Sequence, residues 1–580
     1  MTKRIYSIIA GAGLLAMAAS CANLDLNPLS SASSENWYSN PGEVRMSLND
    51  FYRSTFFQIE QNWTMDRNTD DWSQRTNIYA IAAGSLDAST KSNPDIATTW
   101  QYTYRNISRA NRILDALDNL EGKYSTDELD NLRGEARFFR AYAYSRLITL
   151  WGDVPFFLTS ITPEEAFEMG RTDKAVILDQ IYKDFDFAAS VLPLKNNGIG
   201  ITRVDKGCAL AFKARIALYQ KDYATCAKAA KDCMDLKHYS LFAGYGELFR
   251  DQTKNCEIIL SIPHSNELEL DEDGNPTTQN IGTFIARSAG GTHNAQPSWE
   301  LLATYEMTNG KTIDDPTSGF DPHNPFAGRD PRCCETFAAP GTKIYNIDWN
   351  PAPDKIKTWD YTKQELIVNK DSKGGADATN ASYNGCCLRK GARDEWRTEK
   401  RNDNPVILMR YADVLLMYAE AQIELNKIDD LTLDCINDVR ARAYGVSRND
   451  ITQYPAITTT EQSALRKVLR RERRVEFAWE NLRYFDLLRW HQLEKAFGHN
   501  MFGFTRNAAV AKENFDSGNW FWPSVPKFDE DGFPCFEDMV DGTYIVQHGI
   551  RKFEPRIYLW PLPSNDVQIM NGKLEQNPGY

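Results

Sequence analysis

The sequence predicts an all-α-dominated fold: tetratricopeptide-like helical hairpins form a scaffold that carries a loop-rich, variable half containing short strands. Three observations predict it. Apolar residues recur at spacings of three and four through 43–59, 98–120, 127–151, 174–192, 205–236, 411–425 and 461–496. Small Ala residues alternate with large apolar ones in two consecutive helix pairs, 209–236 and 411–443, as close helix contacts require. Gly, Pro, Asn, Asp and Thr collect instead in 238–405, where the helical period is lost.

In chain order, the first segment is Met1-Thr2-Lys3-Arg4, an apolar run from Ile5 to Ala19, then Ser20-Cys21. A basic start, an apolar run too short to span a bilayer and small residues before a cut describe a secretory signal. Ala18-Ala19-Ser20-Cys21 resembles a bacterial lipobox, with Ala18 where Leu is more usual. The resemblance implies that 1–20 is removed and that Cys21 becomes the lipidated first residue. Acyl chains contribute roughly 0.8 kcal/mol per buried CH2, so several of them hold a soluble body on a membrane. Residues 21–40, with Ser30-Ser31-Ala32-Ser33-Ser34 inside, read as a tether.

The helix over 127–151 stops at Gly152 with Pro155 beyond, and 205–236 folds back at Lys221-Asp222. Glu257-Ile258-Ile259-Leu260-Ser261-Ile262 reads as a strand, and Trp299 opens a short helix to Glu306. One long helix is expected over 461–496, followed by an irregular aromatic stretch over 498–548. The ending is non-helical apart from a turn at 564–570.

The net charge of −13 argues against binding nucleic acid by phosphate neutralisation. The one dense basic run, Arg466 to Arg474, is interleaved with apolar residues at helical spacing. There Glu472 and Glu476 alternate with Arg470, Arg471, Arg473 and Arg474, which reads as a structural charge lattice extended by Arg483, Asp486 and Arg489. With 14 Trp, 26 Tyr and 28 Phe, aromatic content exceeds the needs of a core and leaves rings for stacking on a ligand. Eleven cysteines include Cys21 and the vicinal pairs Cys333-Cys334 and Cys386-Cys387. Export permits disulfides, whose connectivity sequence does not give. No paired CxxC or Cys/His spacing suggests zinc. The acidic turns Asp271-Glu272-Asp273-Gly274-Asn275 and Asp529-Glu530-Asp531-Gly532 lack the spacing of a calcium loop, so no cofactor is expected and structural calcium has no sequence support.

Four blocks then carry a family resemblance. They are Glu135-Ala136-Arg137-Phe138-Phe139-Arg140-Ala141-Tyr142 with Leu150-Trp151-Gly152-Asp153-Val154-Pro155; Pro405 to Ala421; Arg471-Glu472-Arg473-Arg474-Val475-Glu476-Phe477 with Arg483-Tyr484-Phe485-Asp486; and Pro561-Leu562-Pro563 with Asn577-Pro578-Gly579-Tyr580. In this order, and behind a lipid signal, the chain resembles the SusD/RagB outer-membrane lipoproteins of Bacteroidetes. The resemblance implies one SusD-like body over 41–580. Its helical scaffold covers about 41–237 and 405–497, its variable insert about 238–404, and its irregular C-terminal region 498–580. It also implies an outer-membrane position facing the cell exterior, a SusC-like TonB-dependent transporter as partner, and non-catalytic capture of glycans. The same capture of peptides, and a glycoside hydrolase with paired carboxylates, are the alternatives.

A sugar ring offers an apolar face and a belt of hydroxyls, so its site needs flat aromatic side chains beside planar polar groups, on loops held by a scaffold. Three segments fit. The first is 63–75, with Asp66, Arg67, Asp70, Asp71, Trp72 and Arg75. The second holds Trp349, Trp359 and Tyr361 among Pro and Asp residues. The third is 383–397, where Arg389, Lys390, Arg393 and Trp396 suit a carboxylated sugar. Trp520-Phe521-Trp522-Pro523 reads as a further stacking surface or as a pad for the transporter.

Overall fold

Asn, Ser and Asp side chains open most scaffold helices, because their oxygens satisfy amides that a first turn leaves unpaired. A computed structural model describes residues 37–580 except 54–55, 58, 62, 76–77, 90–93, 195–202, 251–254, 268–277, 279 and 571. Cys21, the leader and the acidic turn at 271–275 therefore lie outside the described residues.

The scaffold helices are α1 (Pro41–Asn49), α2 (Pro94–Asp118), α3 (Thr126–Leu150), α4 (Lys174–Val191), α5 (Lys206–Tyr219), α6 (Tyr223–Asp235), α7 (Tyr411–Glu424), α8 (Asp430–Ala443), α9 (Gln462–Glu476) and α10 (Arg483–Arg489). Ser125 caps α3 by accepting from the Glu128 amide, and Asp205 and Asp222 cap α5 and α6. Neighbouring helices pack on one another: α2 on α3, α3 on α4, α5 on α6, and α7 on α6 and α8. Ala209, Ala211, Ala214 and Ala217 of α5 are buried, as are Ala227, Ala229 and Ala230 of α6, so these two helices approach closely. Gly134 does the same for α3 and α4, where an added Cβ would sit 2.6 Å from Val191 Cγ2.

The periodicity predicts one helix over 461–496, but the chain breaks after Glu476. Trp479 and Asn481 take φ values of 60° and 62°, left-handed values that an α-helix cannot continue through. Tertiary contacts explain the break. Trp479 turns inward to stack on Trp72 at 4.9 Å. Asn481 accepts from the Met65 amide at 2.9 Å and donates to the Glu60 carbonyl at 2.8 Å. The first predicted helix, 43–59, is likewise shorter, ending at Asn49 with a 3-10 turn over Asp50–Tyr52.

Strands β1 (Trp72–Gln74), β2 (Ile258–Ile262), β3 (Ala295–Pro297), β4 (Thr342–Ile344), β5 (Ile347–Trp349), β6 (Lys357–Asp360), β7 (Glu365–Val368), β8 (Val406–Arg410), β9 (Met501–Phe504), β10 (Lys527–Phe528), β11 (Pro534–Cys535) and β12 (Ile545–Gly549) form small sheets. The β4-β5-β6-β7 meander is the largest, and every named pairing is antiparallel. β2 pairs with β8, so the insert leaves and rejoins the scaffold at one base.

Two main cores result. One runs through the helices and takes in Trp151, Trp560 and Leu562; the other fills the loop half with Trp72, Trp299, Trp349, Trp396, Trp479 and Trp522. Between them lies a buried ion lattice. Glu476 accepts from Arg410 at 2.6 Å, Arg332 at 2.9 Å and also Arg442, while Asp413 bridges Arg215 and Arg473 at 2.7 and 2.8 Å. Asp486 joins Arg473 and Arg489 at 3.0 and 2.8 Å. Removing one member of such a lattice strands a buried charge, which costs about 3–5 kcal/mol. The described cysteines are all unbridged.

Candidate functional site

The predicted segments separate sharply in the structure. Asp70 and Asp71 are buried, and neither faces solvent. Arg483 grips Asp70 with two bonds of 2.9 Å, and Arg474 reaches Asp70 at 2.8 Å and Asp71 at 2.7 Å. Burial alone would raise the Asp70 carboxyl, but Arg474 and Arg483 overcome it and hold it well below the usual range. Both aspartates are thus spent in fixing the 63–75 loop to α9 and α10. Asp66 is buried beside them and burial pushes its carboxyl up to about 8.

Trp72 is buried against Trp479, Phe284 and Tyr79, so neither ring face is open to a sugar. Trp349 and Trp396 are also buried, contrary to the expectation that Pro- and Asp-rich loops expose them. The loop half needs its own apolar interior, and these rings supply it. Phe521 and Trp522 go the same way, packing on Trp299, Phe504 and Phe536 instead of forming a surface pad. In the third segment, Lys390 is buried and donates to Ala478 O and Glu480, both at 2.7 Å. Arg389 donates to the Cys334 carbonyl at 2.7 Å with its side chain 31% exposed. Its neighbour Arg393 pairs with Asp403.

Two predicted places keep accessible chemistry. Trp359 and Tyr361 stand half-buried on the meander. Trp359 lies directly opposite Leu366 and Lys357 opposite Val368, so one face of β6 and β7 presents Trp359, Leu366 and Val368 together. Leu366 and Val368 are 59% and 57% exposed, which makes this an apolar surface with a flat ring in it. Tyr361 donates to Asp348 Oδ1 at 2.9 Å, and the Lys343 ammonium sits 4.7 Å above its ring.

Arg75 marks the other place. It follows β1, whose pairing with β3 holds it there, and its amide donates to Asn294 O at 3.0 Å. Its guanidinium donates to Asn380 O at 2.6 Å, and Arg287 donates to the same carbonyl at 2.9 Å. Asp377 pairs with Arg287 and accepts from Asn380 Nδ2 at 3.0 Å. Burial, then Arg287 and Arg506, lower the Arg75 guanidinium from its ordinary value. Lys373 is fully buried, and among the described residues its ammonium makes one long bond, to Ala378 O at 3.3 Å. Burial, aided by Arg506 and Arg75, brings its ammonium down to about 7. The same neighbours reinforce burial at His548, whose imidazole falls to about 4 and whose ring packs 5.0 Å from that of Tyr383.

Four basic side chains, from 75, 287, 373 and 506, thus converge from separate segments. Among the described residues only Asp377 forms an ion pair with any of them. Sequence reasoning found Arg75 alone, because Arg287, Lys373 and Arg506 lack a local pattern. The arrangement suits an anion: Arg506 is exposed, Arg75 and Arg287 are half-buried and Lys373 is buried behind them, and Asp377 is the one carboxylate paired with the group among the described residues.

A groove of about 1110 Å³ lies elsewhere, between α2, 155–169 and the tail at 563–574. Its rings are already occupied: Trp100 is buried against Trp151, and Tyr104 stacks on Phe157. We therefore place the candidate site on the loop half.

Comparison with known proteins agrees with this architecture. Residues 256–580 match the profile described as the SusD family, and 36–218 match one described as starch-binding associating with outer membrane. A SusD-like protein of Formosa agariphila is 27% identical, over 84% of this chain and 90% of its own length. A crystal structure of a SusD-like carbohydrate binding protein from Bacteroides fragilis superposes with a TM-score of 0.71 at 26% identity, covering 92% of this chain and 98% of that one. Surface glycan-binding protein A from Bacteroides fluxus, at 20% identity and a TM-score of 0.61, shares the fold across 93% of this chain. Helical scaffold, looped half and both profiles, one of them spanning more than half the chain, together make this protein a member of the SusD family.

Proposed function

We propose that this protein captures glycans at the outer face of the outer membrane, anchored through a lipidated Cys21. It hands them to a SusC-like TonB-dependent transporter and cleaves no bond itself. The cargo carries acidic groups, uronate or sulfate, which dock on the accessible guanidinium groups of Arg75, Arg287 and Arg506. The observation that carries the acidic cargo is this cluster of cations from separate segments, with Arg75 and Arg287 meeting on the Asn380 carbonyl, on a chain whose net charge is −13. The likeness to a carbohydrate-binding relative supports the glycan part, and Trp359 supplies a ring face of the kind a sugar stacks on.

Calorimetry with a uronate polysaccharide and a neutral β-glucan tests the reading. Arg75→Gln and Arg506→Gln should each weaken the acidic ligand about tenfold, roughly 1.4 kcal/mol, the scale of one charge-assisted contact. Raising salt should weaken it further, since partly exposed charges are screened. Equal affinity for both polymers, or insensitivity to both substitutions, rejects the acidic cargo. Binding of acidic peptides but no glycan rejects the carbohydrate reading as a whole.

A further inference from the structure

His499, Cys535 and Glu537 lie in the irregular C-terminal region, apart from the glycan reading above. They belong to three different local structures. His499 follows the short helix Leu493–Phe497, Cys535 ends β11, and Glu537 opens the 3-10 turn Glu537–Met539. Folding brings one donor atom from each within 4.8 Å of the others, and all three residues are partly buried. Glu537 organises the group: one carboxylate oxygen lies 3.3 Å from His499 Nδ1, and the other accepts from Cys535 Sγ at 2.9 Å.

We propose that His499 Nδ1, Cys535 Sγ and the Glu537 carboxylate form a binding site for a zinc-class divalent metal. A tetrahedron drawn with zinc–ligand bonds of about 2.0–2.3 Å has edges of roughly 3.3–3.5 Å, so small side-chain rotations bring the three donors into place. The donor set selects the metal. A thiolate with an imidazole favours zinc and its neighbours, whereas calcium and magnesium require oxygen shells. Other candidate cation sites in this region are closed: the turn carboxylates of Asp529 and Asp531 hold the Lys495 ammonium at 3.2 and 3.4 Å.

Binding replaces the Cys535 S–H bond by a metal–sulfur bond and releases that proton to water. His499 coordinates through its Nδ1 lone pair, with the ring proton on Nε2. Three protein donors leave a fourth position for water. The metal would staple the β10–β11 hairpin to the segment that leads into β9, reinforcing the His499–Glu537 contact and the Lys495 ion pairs that already join them.

The test uses the full mature chain, stripped with chelator and titrated with zinc chloride by calorimetry, then with cobalt(II) in an absorption spectrometer. About one equivalent of zinc at micromolar affinity or tighter is expected, with a thiolate-to-cobalt charge-transfer band. Cys535→Ser should remove the band and, like His499→Ala, weaken zinc at least tenfold. Cys256→Ser, at an exposed cysteine outside the group, should change neither. The melting temperature of the wild type should rise with zinc concentration, and that of Cys535→Ser should not. Absence of saturable binding at micromolar zinc, or binding that survives Cys535→Ser, overturns the site. Should that variant fail to fold, the wild-type cobalt spectrum decides, and a spectrum without the thiolate band overturns it.

Discussion

Trp349 and Trp359 show how one residue type serves two ends within a few positions. Trp349 is buried in the loop-half core, while Trp359 stands partly open on the meander. Trp349→Ala should therefore cost about 3–5 kcal/mol of stability by leaving a cavity, measured by urea unfolding. Trp359→Ala should leave the urea midpoint nearly unchanged and weaken glycan binding instead; an unchanged affinity removes Trp359 from the site. Residue type and local composition marked both rings as candidates. Burial separates them, and burial depends on neighbours such as His293, whose ring meets Trp349 from a remote stretch of chain. Asp70 and Asp71 followed the same logic: their acidic, polar surroundings suggested ligand contact, whereas Arg474 and Arg483 arrive from four hundred residues away.

At the scale of elements, helices with strong periodicity were legible to within a few residues, α3 and α4 among them. The break between α9 and α10 was not, because 477–482 keeps apolar spacing and lacks Gly or Pro. Asn481 decides it by bonding two backbone groups of the 60–65 loop while holding a left-handed φ. Asn481→Ala should cost about 2–4 kcal/mol, combining lost buried hydrogen bonds with strain at positive φ. Asn481→Gly should cost less than Asn481→Ala, because glycine accepts the backbone angle. Chemical denaturation of the two variants checks the order, and the reverse order would show that φ is unimportant there.

Over the whole molecule, the ion lattice makes the fold sensitive to acid. Burial opposes ionisation of Asp413, Glu476 and Asp486, but their arginine partners win: the Asp413 carboxyl is held at about 2, and the other two lie below their ordinary values. Depressed carboxylates stabilise the fold fully above their unfolded values near pH 4, and that stability is lost as pH falls through the folded values. Urea midpoints should hold steady from pH 7 to 5 and drop steeply between about pH 4 and 2. Glu476→Gln should lower the midpoint at pH 7 and flatten the acid dependence, because it removes the lattice carboxylate with the most arginine partners among those described.

Sequence by itself determined the helical scaffold, the aromatic surplus, the lattice of alternating charge in α9 and the family, since periodicity and ordered motifs are local records that survive in one dimension. Tertiary structure alone decided which rings were buried, where the long helix ended, and which cations met around Arg75. It also decided that His499 would reach Cys535 and Glu537. Each of those depends on through-space distance between remote segments, and in a close-packed interior that distance is set by the whole fold and not by the neighbours in the chain.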